Sequence, residues 1–195
     1  MLRLSALVVA LAAGSLPAAD PVAVPGSDVK FPPTVGTAAG GKPVTLKLTG
    51  VGVRSRAIFK VYAIGSYLAD GTAAKTAEDV VAADAPKMLY LVMERNVAGK
   101  DFVEAVKAGV GKTHPDKFAA EFQQIAAAVG DQTAAKGDHV SLLYLPGVGL
   151  RVQIVGKVDL TVKGAEFAAA VWGVYLGGNP VDEKLKQGLS SLIGK

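Results

Sequence analysis

The sequence contains no cysteine. That excludes disulfides, thiolate metal sites, cysteine nucleophiles and lipid attachment through an N-terminal cysteine. Histidine is nearly as scarce. His114 and His139 are the only two, and neither has a ligand-type partner at helical spacing, so both read as surface or turn residues. Aromatic residues make up 6% of the chain, and 21 basic residues face 17 acidic ones. The basic residues are scattered, which argues against a nucleic-acid partner. Hydrophobic residues are 50% and charged ones 19%, a balance that excludes a disordered chain. At 195 residues the chain fits one domain with a self-sufficient core.

Several motifs are incomplete. Gly109-Val-Gly-Lys-Thr113 lacks the first glycine of a phosphate loop, because Val106 stands there, and it lies inside a helical pattern. Gly50-Val-Gly52 lacks the third glycine of a dinucleotide turn, where Ser55 stands. No serine occupies a G-x-S-x-G elbow. Asp182 and Glu183 read as a helix-dipole pair rather than an acid and base. No cofactor and no metal are expected.

Long hydrophobic runs are also missing, with one exception. Leu4 to Ala13 is almost unbroken, follows Met-Leu-Arg, and exits through Gly14 to Ala19. About ten apolar residues are half of the roughly 20 that a spanning helix needs. The layout is that of a secretory signal, residues 1–19, with cleavage after Ala18 or Ala19. The expected product is exported, periplasmic or extracellular, and keeps no stable membrane anchor.

The rest of the chain carries clear periods. Residues 20–43 are rich in Pro and Gly and read as an extended lead-in with at most one short strand. From 44 to 195 the pattern is that of a single folded unit. Val44, Leu46 and Leu48 alternate as a strand, and Phe59 to Leu68 is β-rich. Thr76-Ala-Glu-Asp79 is a capping box for a short helix that ends before Pro86. Met88 to Met93 reads as a central strand. Phe102, Val106 and Val110 then mark a helix. Phe118, Phe122, Ile125 and Val129 mark another, with Pro115 as its first residue. Val140 to Val162 reads as a three-stranded meander with turns at Pro146–Gly149 and Gly156–Lys157. Phe167, Val171 and Val174 mark a further helix. Asn179-Pro180 opens a last one carrying Val181, Leu185, Leu189 and Leu192. Strands and helices fall in blocks, so the fold class is α+β, an antiparallel sheet with helices mainly on one face.

One segment points to function: Gly50-Val-Gly-Val-Arg54-Ser-Arg56, then Lys60-Val-Tyr62-Ala-Ile-Gly65-Ser-Tyr67-Leu68. It resembles the chalcone isomerase family, with its Gly-x-Arg turn and Lys-x-(Thr or Tyr)-Ala-Ile-Gly-x-Tyr-Leu strand. Ala85-Pro86-Lys87, Trp172 to Gly177 and Pro180 to Leu185 extend the likeness over residues 44–193. The chain looks closest to the bacterial, secreted branch. The resemblance implies an open-faced β-sandwich with a ligand cleft between sheet and helices.

The family contains isomerases that close a flavanone ring and non-catalytic binders of fatty acids. Both use the arginine matched here by Arg54. In the enzymes it would hold developing enolate charge; in the binders it would pair with a carboxylate. Tyr62 matches the binders. Phe102, Gly109 and Val174 stand where the enzymes carry Tyr, Asn and Thr or Ser. Loss of such oxyanion donors typically costs about 10²–10³ in rate. The expectation is therefore a monomeric, non-catalytic binder of a small amphiphilic ligand, a fatty acid or similar carboxylate. Its expected site comprises Arg54, Tyr62, Phe102, Val106 and Val174. The alternative is an intramolecular lyase acting on an enone, with Arg54 as the catalytic residue. Arg54 and Tyr62 are expected on facing strands if the chain turns near Ile58, although Ser55 to Lys60 holds no ordinary turn residue.

Overall fold

The computed structural model of the chain describes residues 20–195. The export signal was read from residues 1–19, outside the described residues. The lead-in holds three short strands, β1 (Val22–Ala23), β2 (Lys30–Phe31) and β3 (Thr34–Ala39). A long hairpin follows, β4 (Lys42–Arg56) and β5 (Phe59–Ala69). Helix α1 (Ala77–Ala82) leads to β6 (Lys87–Met93). Next come β7 (Val97–Ala98), α2 (Gly99–Gly111), α3 (Ala119–Val129) and β8 (Thr133–Ala134). The meander is β9 (His139–Leu145), β10 (Gly149–Ile154) and β11 (Val158–Val162). Two helices end the chain, α4 (Ala165–Leu176) and α5 (Glu183–Leu189).

Seven strands form one antiparallel sheet in the order β11–β10–β9–β6–β5–β4–β3. Its register converts the period-two pattern into two faces. Ile64 pairs with Leu91, Leu91 with Val140, Val140 with Ile154, and Ile154 with Val158. This row, buried under the helices, belongs to the main core. The opposite face buries Val51, Ala63, Tyr67 and Leu143 beneath Val24 and Phe31 of the lead-in. The lead-in is thus more regular than its composition suggested. Its β3 pairs with β4 and forms the sheet edge, and its two apolar side chains cap the face that the helices leave open.

The capping box at α1 is present. Thr76 Oγ1 accepts from Asp79 N at 3.1 Å, and the Asp79 carboxylate accepts from Thr76 N at 2.9 Å. Two other helix starts differ from the sequence reading. Pro115 does not open α3. The chain turns through Asp116 (φ 59°) and Phe118 (φ 68°), and the helix begins at Ala119. That detour sets the Phe118 ring 5.4 Å from Phe167. Nor does Asn179-Pro180 open α5. Val181 N donates to Val174 O at 2.7 Å, which holds this stretch against the end of α4. Asp182 is the N-cap, accepting from Leu185 N at 3.0 Å. His139 is no free surface histidine either. It sits half-buried at the start of β9, its Nδ1 2.8 Å from the Tyr90 hydroxyl.

Two features set the geometry around the hairpin. Its loop is only Ala57-Ile58, and Ala57 takes φ 52°. Two-residue hairpin loops need a positive φ at the first position, which glycine adopts freely and alanine does not. Ala57→Gly should therefore stabilise the fold by about 1 kcal/mol and raise Tm by about 2–4 °C. A thermal melt that is unchanged or lower would refute the assignment. The second feature is a close approach of backbones. A Cβ on Gly50 would lie 2.1 Å from the Gly188 carbonyl oxygen, and one on Gly188 would lie 2.5 Å from that of Val51. Only glycines let β4 and α5 meet this closely.

Lys87 is a buried cation at the start of β6, 1% exposed. Its Nζ donates to the carbonyls of Val80, Val81 and Ala83 at 3.0, 2.7 and 2.9 Å. These are orphan carbonyls at the C-terminal end of α1, whose last turn has no basic residue of its own. The ammonium also lies 5.5 Å from the Tyr144 ring centroid and 5.4 Å from that of Trp172.

Candidate ligand cleft

Arg54 and Tyr62 are register partners across the β4–β5 hairpin. Directly opposed residues project to the same face of a sheet, so both side chains point toward the helices. The resemblance placed Arg54 in a turn. It lies within β4, because the hairpin continues to Arg56 before the chain reverses at Ala57-Ile58.

The surroundings of Arg54 include two residues that sequence reading did not assign to it. Asp182 Oδ2 stands 3.5 Å from Arg54 Nη1, while its other oxygen caps α5. One carboxylate therefore serves a helix end and a guanidinium together. Tyr175 of α4 lies with its hydroxyl 3.2 Å from that of Tyr62. Both tyrosines are buried. Burial pushes the Tyr62 phenol well above its ordinary range, reinforced by Tyr175, and burial likewise raises Tyr175. Both hydroxyls stay protonated at neutral pH; one donates to the other, which leaves one hydroxyl proton for an anion. Tyr175 left no directional signal in the sequence. Helix α4 is buried on nearly every side, so its periodicity singles out no facing residue.

All five residues expected at the site border one cleft: Arg54, Tyr62, Phe102, Val106 and Val174. Its volume is about 260 Å³, and Arg56, Arg95 and Asp101 also line it. Phe102 and Val106 come one turn apart on α2, which places them on the same stripe. The Phe102 ring meets Tyr62 edge-on, with centroids 6.1 Å apart. Phe102 and Val106 also border a second chamber of about 40 Å³, lined by Phe122, Ile125, Leu142 and Val171 among other apolar side chains. Phe102 thus lines both a cleft with charged residues and a wholly apolar chamber.

The positions where the enzymes of the resembling family carry hydroxyl and amide groups hold no polar side chain, and the one at Gly109 is closed. A Cβ on Gly109 would stand 2.7 Å from Val174 Cγ1. Helices α2 and α4 touch there directly, and no room remains for an amide side chain. Among the described residues no group of three His, Cys, Asp or Glu side chains is arranged to hold a metal. No described helix is long and apolar enough to cross a membrane.

Comparison with known proteins agrees with this architecture. No curated protein sequence matches the chain. Among solved structures, a fatty-acid binding protein of Arabidopsis thaliana superposes with a TM-score of 0.70 at 20% identity. The match covers 90% of this chain and 100% of the plant protein. At that identity the likeness establishes the fold. The family profile described as chalcone isomerase-like matches residues 24–190, from the buried Val24 of the lead-in through the last residues of α5. That match spans well over half of the chain, which therefore belongs to the chalcone isomerase-like family.

Proposed function

We propose that the protein binds a single-chain amphiphile with a carboxylate head, such as a fatty acid, and does so as a monomer without catalysis. The observation that carries this reading is the polarity of the cleft. Arg54 and two protonated phenols stand at one end, and only apolar side chains stand at the other. The guanidinium would take the carboxylate, with a hydroxyl donor beside it, and the tail would run past Phe102 and Val106. The fatty-acid binding described for the plant protein of the same fold supports the reading. The closed apolar contact of Gly109 with Val174 disfavours the lyase alternative. We also propose that the protein works outside the cytoplasm, on the strength of the N-terminal pattern. A mature N-terminus other than Asp20 or its immediate neighbours would overturn that part.

Native mass spectrometry of protein purified from cells tests the function directly. A co-purifying acyl chain is the expected result. Protein that emerges empty and also fails to displace a fluorescent fatty acid would end the proposal. The geometry further predicts chain-length selection. The chamber of about 40 Å³ holds only a few waters' worth of space, so Phe102 limits how deep a tail can reach. Phe102→Ala should join chamber and cleft and shift the preferred acyl chain to a longer one in a displacement series. An unchanged length profile would show that the tail takes another path.

A further inference from the structure

We propose that the tip of the β4–β5 hairpin docks on anionic lipid surfaces and holds the cleft mouth against them. The tip is the most exposed apolar feature among the described residues. Ile58 is 88% exposed and its neighbour Phe59 is 57% exposed. Single exposed hydrophobics are ordinary on a protein surface. Two adjacent ones at the end of a projecting hairpin, ringed by cations, match what inserts at a membrane interface.

The ring consists of Arg56, Lys60 and Arg95, all exposed. The Arg95 guanidinium lies 5.5 Å from the Phe59 ring centroid. Among the described residues none of these three forms an ion pair. Asp182 is paired with Arg54. Glu94, which accepts from the Ser27 hydroxyl, and Asp101, which lines the cleft, keep their charges, and the three cations outweigh these two anions. The charge left at the tip is positive, which suits phosphate headgroups while Ile58 and Phe59 enter the acyl boundary. Arg56 and Arg95 belong to the tip and to the cleft lining alike. The docked hairpin would therefore set the cleft mouth at the headgroup level, where an amphiphile could pass without crossing water. Docking does not depend on the amphiphile-binding reading; only its purpose does.

The test uses protein as recovered from cells, with Phe59→Trp as a reporter. The single native tryptophan, Trp172, is fully buried, so an emission change reports the tip. Vesicles of phosphatidylglycerol and phosphatidylcholine, mixed equally, are compared with phosphatidylcholine alone. The expected result is a blue shift and quenching by brominated acyl chains on the anionic vesicles only, lost at high salt. Ile58→Ser with Phe59→Ser should weaken vesicle partition at least tenfold. Each of Arg56→Gln, Lys60→Gln and Arg95→Gln should weaken it about fivefold. Circular dichroism checks that the serine pair folds, and fatty-acid displacement without vesicles should be unchanged in it. An unaltered tryptophan emission on anionic vesicles, or a serine pair that partitions like wild type, would overturn docking. Loss of displacement in wild type without vesicles would instead count against the cleft reading.

Discussion

Replacing Arg54 by alanine should weaken binding of a fatty acid about 10- to 100-fold. The range follows from the about 1.5–3 kcal/mol that a hydrogen bond to a charged group contributes. Arg54→Lys should fall between, because an ammonium keeps the charge but loses the planar fork. The position of Asp182 sharpens the test. Its free oxygen faces the guanidinium at 3.5 Å, so a ligand carboxylate must share Arg54 with it and bear its repulsion. Asp182→Asn keeps an oxygen acceptor for the α5 cap and removes the charge. Affinity should then rise severalfold. Opposite changes in the two variants, read by displacement of a fluorescent fatty acid at neutral pH, would place the carboxylate at Arg54. Equal affinity in wild type and Arg54→Ala would remove it from there.

The largest effect on stability should come from Lys87→Met. The substitution keeps the length and bulk of the stem but strands three carbonyls at the end of α1. A buried acceptor left without a donor costs about 1–3 kcal/mol. The expected loss is at least about 3 kcal/mol, or a fall in Tm of about 6–12 °C. A melt within a degree or two of wild type would show that water replaces the ammonium. The pH dependence has a defined sign. Burial pushes the Lys87 ammonium down to about 8, against 10.5 for an ordinary lysine. Between those values the folded chain has released a proton that the unfolded chain retains. This group's contribution to stability therefore rises from about pH 8 to about pH 10.5. The buried phenols of Tyr62 and Tyr175 act in the other sense, because their folded values are raised. Their contribution is present at neutral pH and declines as pH climbs past the ordinary tyrosine value of 10.0.

Most of the fold was legible because its signals are local. The meander from His139 to Val162 is divided by glycine-containing turns, its last two strands alternate, and Thr76 with Asp79 announces α1. The helix starts that were misread, at Pro115 and at Asn179-Pro180, carry good local chemistry that tertiary contacts override. Burying Phe118 against Phe167 delays α3, and the tether of Val181 to Val174 delays α5. The site was legible where the residues of the hairpin and the α2 stripe define it. Its supporting residues were not. Tyr175 lies on a helix without a polar face, and Asp182 reads only as a helix-dipole residue until α5 is set against β4. The burial of Lys87 was not legible, because nothing in its own strand reveals that α1 ends above it.

The backbone contact of Gly50 with Gly188 also has a mechanical consequence. It fuses the wall that carries Arg54 with the helix that carries Asp182. Neither can retreat without the other, so the Arg54 end of the cleft behaves as a fixed jaw. The opposite wall is α2, whose Phe102 is only half-buried and whose preceding segment is the two-residue strand β7. In the proposed binding mode, admission of a bulky tail would fall to that side. Selectivity for the head would then be a property of stiffness, and selectivity for the tail a property of compliance.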